Sequence, residues 1–226
     1  MNKCLLMYAT ICLTVCSYAQ NSIDNNSLLD YFEECNIPTI IGEQPPFRKE
    51  LPYNLVLNSF FNGDEESTKY KQIATNMEDP SDINEFVFTK AIVPCYYYYV
   101  NNCCFIIYLK TGERDGVVTN LSFLKPDGTT SASLALYYVD EYGNTETISK
   151  LYGEVIYTFE YITLFNSDSA NNATQINIKS YTVDYDNYDF VLQKNESIFS
   201  PIEMYQFDKH KEEPDSIKAQ DPFYKY

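Results

Sequence analysis

The stretch "VPCYYYYVNNCCFIIYL", Val93 to Leu109, sets a run of tyrosines and two adjacent cysteines on either side of an Asn-Asn pair. Asn tolerates positive φ, so Asn101-Asn102 reads as the two-residue turn of a β-hairpin. In that register Val100 faces Cys103, Tyr99 faces Cys104, Tyr98 faces Phe105, Tyr97 faces Ile106, and Cys95 ends opposite Tyr108. Alternation then puts Tyr96, Tyr98, Val100, Cys103, Phe105 and Ile107 on one face. Cys95, Tyr97, Tyr99, Cys104, Ile106 and Tyr108 take the other. Both faces are apolar, which is the pattern of a strand pair covered on both sides, by sheet or by packed helices. The alternative is an exposed tyrosine ladder that stacks on sugar rings or peptides, with a large apolar surface patch as its mark.

Working outward, two segments before the hairpin have helical spacing. In "SLLDYFEECNIP" Ser27 caps a short helix, Leu28, Leu29, Phe32 and Cys35 share a face, and Asn36 and Pro38 end it. In "LPYNLVLNSFFNG" Pro52 occupies the first turn, Tyr53, Val56, Leu57, Phe60 and Phe61 repeat at helical intervals, and Asn62-Gly63 is a stop. "DEESTKYKQIATNMEDPSD" is acidic and aperiodic and reads as a connector with one irregular element. From Phe86 onward the pattern is that of strands. "TNLSFLKPDGTT", "LALYYVDEYGNTETI" and "YTVDYDNYDFVL" each place apolar runs around turn residues. In "EVIYTFEYITLF" Val155, Tyr157, Phe159, Tyr161 and Phe165 alternate with Glu154, Thr158 and Glu160, the period of a half-buried strand. The expected fold is α+β and mainly β: two short N-terminal helices packed on an antiparallel β-meander, as a sheet or a sandwich.

The chain begins "MNKCLLMYATICLTVCSYAQ", with Lys3, an apolar run from Cys4 to Cys16, and small residues at Ser17 and Ala19, the layout of a secretory signal peptide. The run is too short to span a membrane, and no later stretch is long and uncharged enough, so no transmembrane helix is expected. Cleavage after Ala19 gives Gln20 as the mature N-terminus. "LTVC" also looks like a lipoprotein box ending at Cys16, although Val15 is bulky for one. The organisation read from this is a signal peptide over 1–19, a helical segment and connector over 20–85, an antiparallel β-domain over 86–207, and a charged tail over 208–226. The protein is expected to be exported, periplasmic or secreted, with a lipoprotein anchored at Cys16 as the alternative. Its style resembles that of exported bacterial envelope proteins, a likeness of composition that no motif carries.

The formal net charge is −16 at pH 7. That disfavours nucleic acid and anionic membrane surfaces as partners, because both select a basic face.

After cleavage at Ala19 the cysteines are Cys35, Cys95, Cys103 and Cys104, and export permits disulfides. In the hairpin register Cys95 lies about 13 Å along the strand from Cys104, beyond the roughly 7 Å Cα separation that a disulfide allows. A Cys103–Cys104 bridge would be strained. The expectation is at most one bridge, from Cys35 to Cys95 or Cys104, and free buried thiols otherwise. Adjacent Cys103 and Cys104 point to opposite faces, which suits neither zinc nor a CxxC redox centre.

Catalytic signals are sparse. The single histidine, His210, sits in the charged tail, so Ser-His-Asp and Cys-His centres are disfavoured. HExxH, Walker and dinucleotide-binding patterns are absent, and no cofactor is expected. A pair of carboxylates working as in a glycosidase needs only the right separation in space. "DYDNYD", Asp184 to Asp189, resembles a calcium loop but lacks its glycine and distal glutamate, and a turn at Asp186-Asn187 explains it. Asn-x-Ser/Thr triplets occur at Asn25, Asn120, Asn172 and Asn195. "DSA" at Asp168 to Ala170 and "DSI" at Asp215 to Ile217 resemble the Asp-Ser/Thr-apolar O-glycosylation signal of some Gram-negative anaerobes. The function these features favour is a non-catalytic envelope module that binds a glycan, a peptide or a neighbouring envelope protein. A carboxylate-dependent hydrolase is the rival.

Overall fold

The computed structural model describes residues 28–45, 49–75, 83–113, 116–140, 142–165 and 173–200. The segment expected to be a signal peptide, Gln20, Cys16 and the C-terminal segment with His210 lie outside them. So do Asn25, Asn172 and both Asp-Ser triplets. The protein is mainly β, with strands β1 (Glu33–Glu34), β2 (Thr39–Ile41), β3 (Lys69–Thr75), β4 (Ile83–Thr89), β5 (Ile92–Val100) and β6 (Cys103–Glu113) in its first half. Then follow β7 (Gly116–Leu124), β8 (Thr130–Val139), β9 (Thr145–Leu151), β10 (Val155–Leu164), β11 (Ala173–Asp184) and β12 (Asp189–Ser200). Two compact units divide the chain, one holding 45–134 with Asp184–Asp189 and the segment up to Asn36, the other 37–44, 135–183 and the rest.

In the first unit the strand order is β1-β5-β6-β7, followed by the first half of β8. The β5–β6 pair has the register expected from the Asn-Asn turn, with Val100 opposite Cys103 and Tyr97 opposite Ile106. Asn101 and Asn102 both have positive φ, 50° and 63°. The register slips between Pro94 and Tyr96, so that Pro94 and not Cys95 faces Tyr108. Cys95 is the extra residue of a bulge, a feature that Pro94, with no N–H to give the ladder, favours.

Both faces of this hairpin are buried. On one, Cys104, Ile106 and Tyr108 pack with Leu28, Phe32, Leu51 and Val56 from the preceding segments. On the other, Tyr98 stacks on Phe105 at 5.0 Å and Phe105 leans on Phe123 at 4.5 Å. Of the tyrosine run only Tyr99 is exposed, at 56%. The run therefore serves as core, and no exposed ladder forms.

The helices are fewer than expected. Among the described residues a single short α-helix, α1 (Tyr53–Leu55), runs into a π-turn over Val56–Phe60, with Pro52 at its N-cap and Asn62 and Gly63 in left-handed conformation after it. The helix predicted over 27–35 is replaced from Asp30 by a turn, in which Tyr31 and Phe32 donate to the Leu28 and Leu29 carbonyls, and by β1. Glu33 and Glu34 pair parallel with Tyr96 and Tyr97. A helix of that length has to meet a nucleation cost with few hydrogen bonds, and the free edge of β5 offers the same backbone groups ready partners. Leu28 and Phe32 still reach the core, because a turn as well as a helix brings i and i+4 together.

The aperiodic connector also differs from expectation. Its middle, Lys69–Thr75, forms β3, which pairs antiparallel with β4 as a separate two-stranded ribbon, Tyr70 opposite Phe88 and Gln72 opposite Phe86. After the short β1 and β2, the longer strands thus start at Lys69, ahead of the expected Phe86.

The second unit orders the rest of β8, then β9, β10, β11 and β12, with β2 pairing β9. Ile148, Phe159, Tyr161, Ile176 and Ile178 form its core. The alternation expected in β10 holds for Phe159 and Tyr161, but Ile156 and Thr158 on the other face are buried too. Phe165 lies beyond the strand and is 68% exposed. Lys150 is buried, its ammonium 5.3 Å from the centroid of the Phe159 ring.

Candidate functional site

A cleft of about 220 Å³ opens at the turn end of the β5–β6 hairpin, within the first unit. The hairpin supplies Tyr99, Asn102, Cys103 and Cys104, and Leu29 comes from the turn before β1. Leu124, Lys125 and Pro126 enter from the β7–β8 connection, and Tyr188 from the β11–β12 connection.

Each wall has a local cause. In the β7–β8 turn the Asp127 carboxylate accepts from the Thr129 N–H at 2.9 Å and the Thr129 hydroxyl at 2.7 Å, while the Lys125 N–H donates to the Thr129 carbonyl. These bonds, the Thr129 hydroxyl first, hold the Asp127 carboxyl below the usual range. In the β11–β12 turn Asp184 accepts from the N–H groups of Asp186 and Asn187 and from the Asn187 side-chain amide. The "DYDNYD" segment is therefore a hairpin turn organised by Asp184, whose carboxyl those bonds pull down.

The last residue of that turn is Tyr188, with φ 52°. A bulky side chain in the left-handed region is strained and is held there by its surroundings. Its ring stands edge-on to Phe123 at 5.8 Å, and the Lys125 ammonium lies 5.9 Å from its centroid. The same turn touches the hairpin tip again where the Asn101 side-chain amide donates to the Tyr185 hydroxyl at 3.3 Å.

Two of the thiols are held in the protonated form. Burial pushes Cys104 up to about 11, against the hydrogen bond to Tyr99, and pushes Cys35 up to about 11, aided by the Glu34 carboxylate. Tyr99 is raised to about 12, by desolvation first and the Cys104 thiol next. All four described cysteines are free, Cys95 and Cys104 buried and Cys35 and Cys103 half-buried.

Topology explains why neither expected bridge forms. The Cys35 N–H donates to the Tyr97 carbonyl, and β1 and β6 flank β5 on opposite sides. Cys35 and Cys104 are therefore two strand spacings apart, about 10 Å, and the offset of Cys35 along β5 takes it equally far from Cys95. Both separations exceed disulfide reach.

The other sequence candidates disperse. Asn120 is buried on β7 with its amide donating to the Val118 carbonyl, so the folded chain does not present it for glycosylation. Asn195 is exposed on β12. No group of three or more His, Cys, Asp or Glu side chains suited to a metal occurs among the described residues. No helix among them is long and apolar enough to cross a membrane. Lys125 and Tyr188 are cleft residues that the sequence reading did not single out. Nothing in "DNYD" signals that the tyrosine, and not the asparagine before it, takes the left-handed position.

A second aromatic surface lies on the β3–β4 ribbon. Tyr70 stacks on Phe88 at 5.5 Å, and Phe88 neighbours Phe86 at 6.4 Å. Phe86 and Phe88 are both exposed.

Compared with protein-family models, curated proteins and solved structures, the chain matches none.

Proposed function

We propose that the protein is an exported, non-catalytic binding module of the cell envelope or its surroundings, and that it holds its ligand in the cleft at the tip of the β5–β6 hairpin. The signal-peptide pattern of residues 1–19 supports export. The observation that carries the binding reading is Tyr188: a residue held in a strained backbone conformation in the lining of a cleft that the exposed Tyr99 also lines. Strain of this kind clusters at ligand clamps. Catalysis is the weaker reading for this site, because its Cys104 thiol is raised and Asp127 and Asp184 at its borders are lowered by turn hydrogen bonds. A general acid needs the opposite shift.

The test uses the mature chain on arrays of glycans and of short peptides. Tyr188→Gly suits the left-handed backbone and should keep the fold while removing the wall. Binding by the parent that is lost in Tyr188→Gly and Tyr99→Ala, with no product released, is expected. Binding that both variants retain would refute the cleft, and turnover of a glycan would favour the hydrolase. Intact-mass analysis of the mature protein should show Gln20 at the N-terminus, whereas a diacylglyceryl group on Cys16 would establish a lipoprotein.

A further inference from the structure

Among the described residues the cleft has one charged side chain in its lining, that of Lys125, on a chain whose formal net charge is −16. Around it stand the apolar surfaces of Leu29, Leu124 and Pro126 and the rings of Tyr99 and Tyr188, with the Asn102 amide on the hairpin side. Asp127, which contributes to the field at Lys125, has its Oδ1 engaged by both Thr129 hydrogen bonds. The space, about 220 Å³, suits one side chain and not a polymer.

A cation beside a space walled by rings and aliphatic side chains as well as polar groups suits one negative charge attached directly to one apolar group. An extended polyanion would meet the protein's own negative charge. We infer that the cleft captures the C-terminus of a peptide ending in an apolar residue, the last side chain entering between Tyr99 and Tyr188 and the terminal carboxylate meeting Lys125 and the Asn102 amide. This inference rests on the cleft being the binding site.

The experiment measures anisotropy of dye-labelled hexapeptides ending in Leu or Phe, each made as the free acid and as the C-terminal amide, against the mature chain. The free acids should bind about tenfold or more tightly than the amides, the difference a lost charge-assisted hydrogen bond produces. Lys125→Met should erase that preference and Lys125→Arg should keep it. Equal binding of acids and amides, or an acid preference that survives Lys125→Met, overturns the carboxylate assignment. The cleft still stands in that case if Tyr99→Ala abolishes binding of both sets. Acid binding that Tyr99→Ala and Tyr188→Gly leave intact overturns the cleft itself. If neither set binds while a glycan does so through Tyr188, the peptide assignment falls and the module reading survives.

Discussion

Two antiparallel hairpins lie next to each other in the first unit, and they differ in almost everything except their hydrogen bonding. The β5–β6 pair is flanked by β1 and β7, and Ile106, Ile107 and Phe105 along β6 have no accessible surface. The β3–β4 ribbon has no third strand among the described residues, and Phe86, Val87 and Phe88 are 49%, 57% and 42% exposed. Ladder bonds alone leave a two-stranded ribbon marginal in water, so the stability of a hairpin comes from what covers it. In β5–β6 the cover exists on both faces. The ribbon is anchored chiefly at its base, where the Lys90 N–H donates to the Thr68 carbonyl and Tyr70 sits over Gly112.

The largest expected effect tests the covered hairpin. Phe105→Ala should cost about 3–5 kcal/mol in urea unfolding, through lost burial and the cavity left against Tyr98 and Phe123. Tyr98→Phe at the facing position should be neutral or stabilising, because the buried Tyr98 hydroxyl has no hydrogen-bond partner among the described residues. A large loss in Tyr98→Phe would show that the hydroxyl is bonded after all.

Next in size is the joint between the hairpins. Gly112 has φ +75°, and a Cβ there would stand 2.7 Å from Cγ and Cε1 of Tyr70. Gly112→Ala should therefore cost about 1–3 kcal/mol through backbone strain and displacement of the Tyr70 ring. Adding Tyr70→Ala should recover the steric part and leave the backbone part. A double mutant as unstable as the sum of the singles would place the whole cost in the backbone.

The comparison also explains what was legible in the sequence. Asn101-Asn102 set the register of β5–β6 because a two-residue turn leaves no choice of pairing, and the double apolar alternation foretold cover on both sides. The ribbon escaped notice because β3, "KYKQIAT", mixes lysines with apolar residues and its partner lies beyond an acidic stretch with no short turn between them. Bulges, parallel edge pairing and the left-handed Tyr188 depend on partners distant in sequence. For the same reason Lys125, Tyr99 and Tyr188 were not readable as one cleft: three separate turns bring them together.

A smaller effect concerns the thiols that flank the covered hairpin. Cys35 and Cys104 are raised to about 11 in the folded chain, whereas an unfolded thiol titrates near 8.5. Between those values the unfolded chain has released protons that the folded chain keeps, so stability should fall as pH rises from about 8.5 to 11 and be unaffected below. Cys104→Ser with Cys35→Ser should flatten that fall in pH-dependent unfolding. An unchanged slope would assign it to other groups. At pH 7 all four described thiols should be detected after denaturation without reductant, and detection of fewer than two would mean that the strand register is wrong.

The smallest effect belongs to the ribbon. Phe86→Ser removes as large a ring as Phe105→Ala, but from a site that water already reaches, on a strand whose facing residue is Gln72. The transfer and cavity terms that make Phe105 costly are both small there, and the change should stay within about 0.5 kcal/mol. Amides of β3 and β4 should correspondingly exchange with solvent well before those of β5 and β6, since opening the ribbon exposes little that is buried. Should Phe86→Ser instead cost as much as Phe105→Ala, the ring must be buried in the species being unfolded, against a second molecule. Sedimentation of the parent and the variant at the same concentration would then show an assembly that only the parent forms.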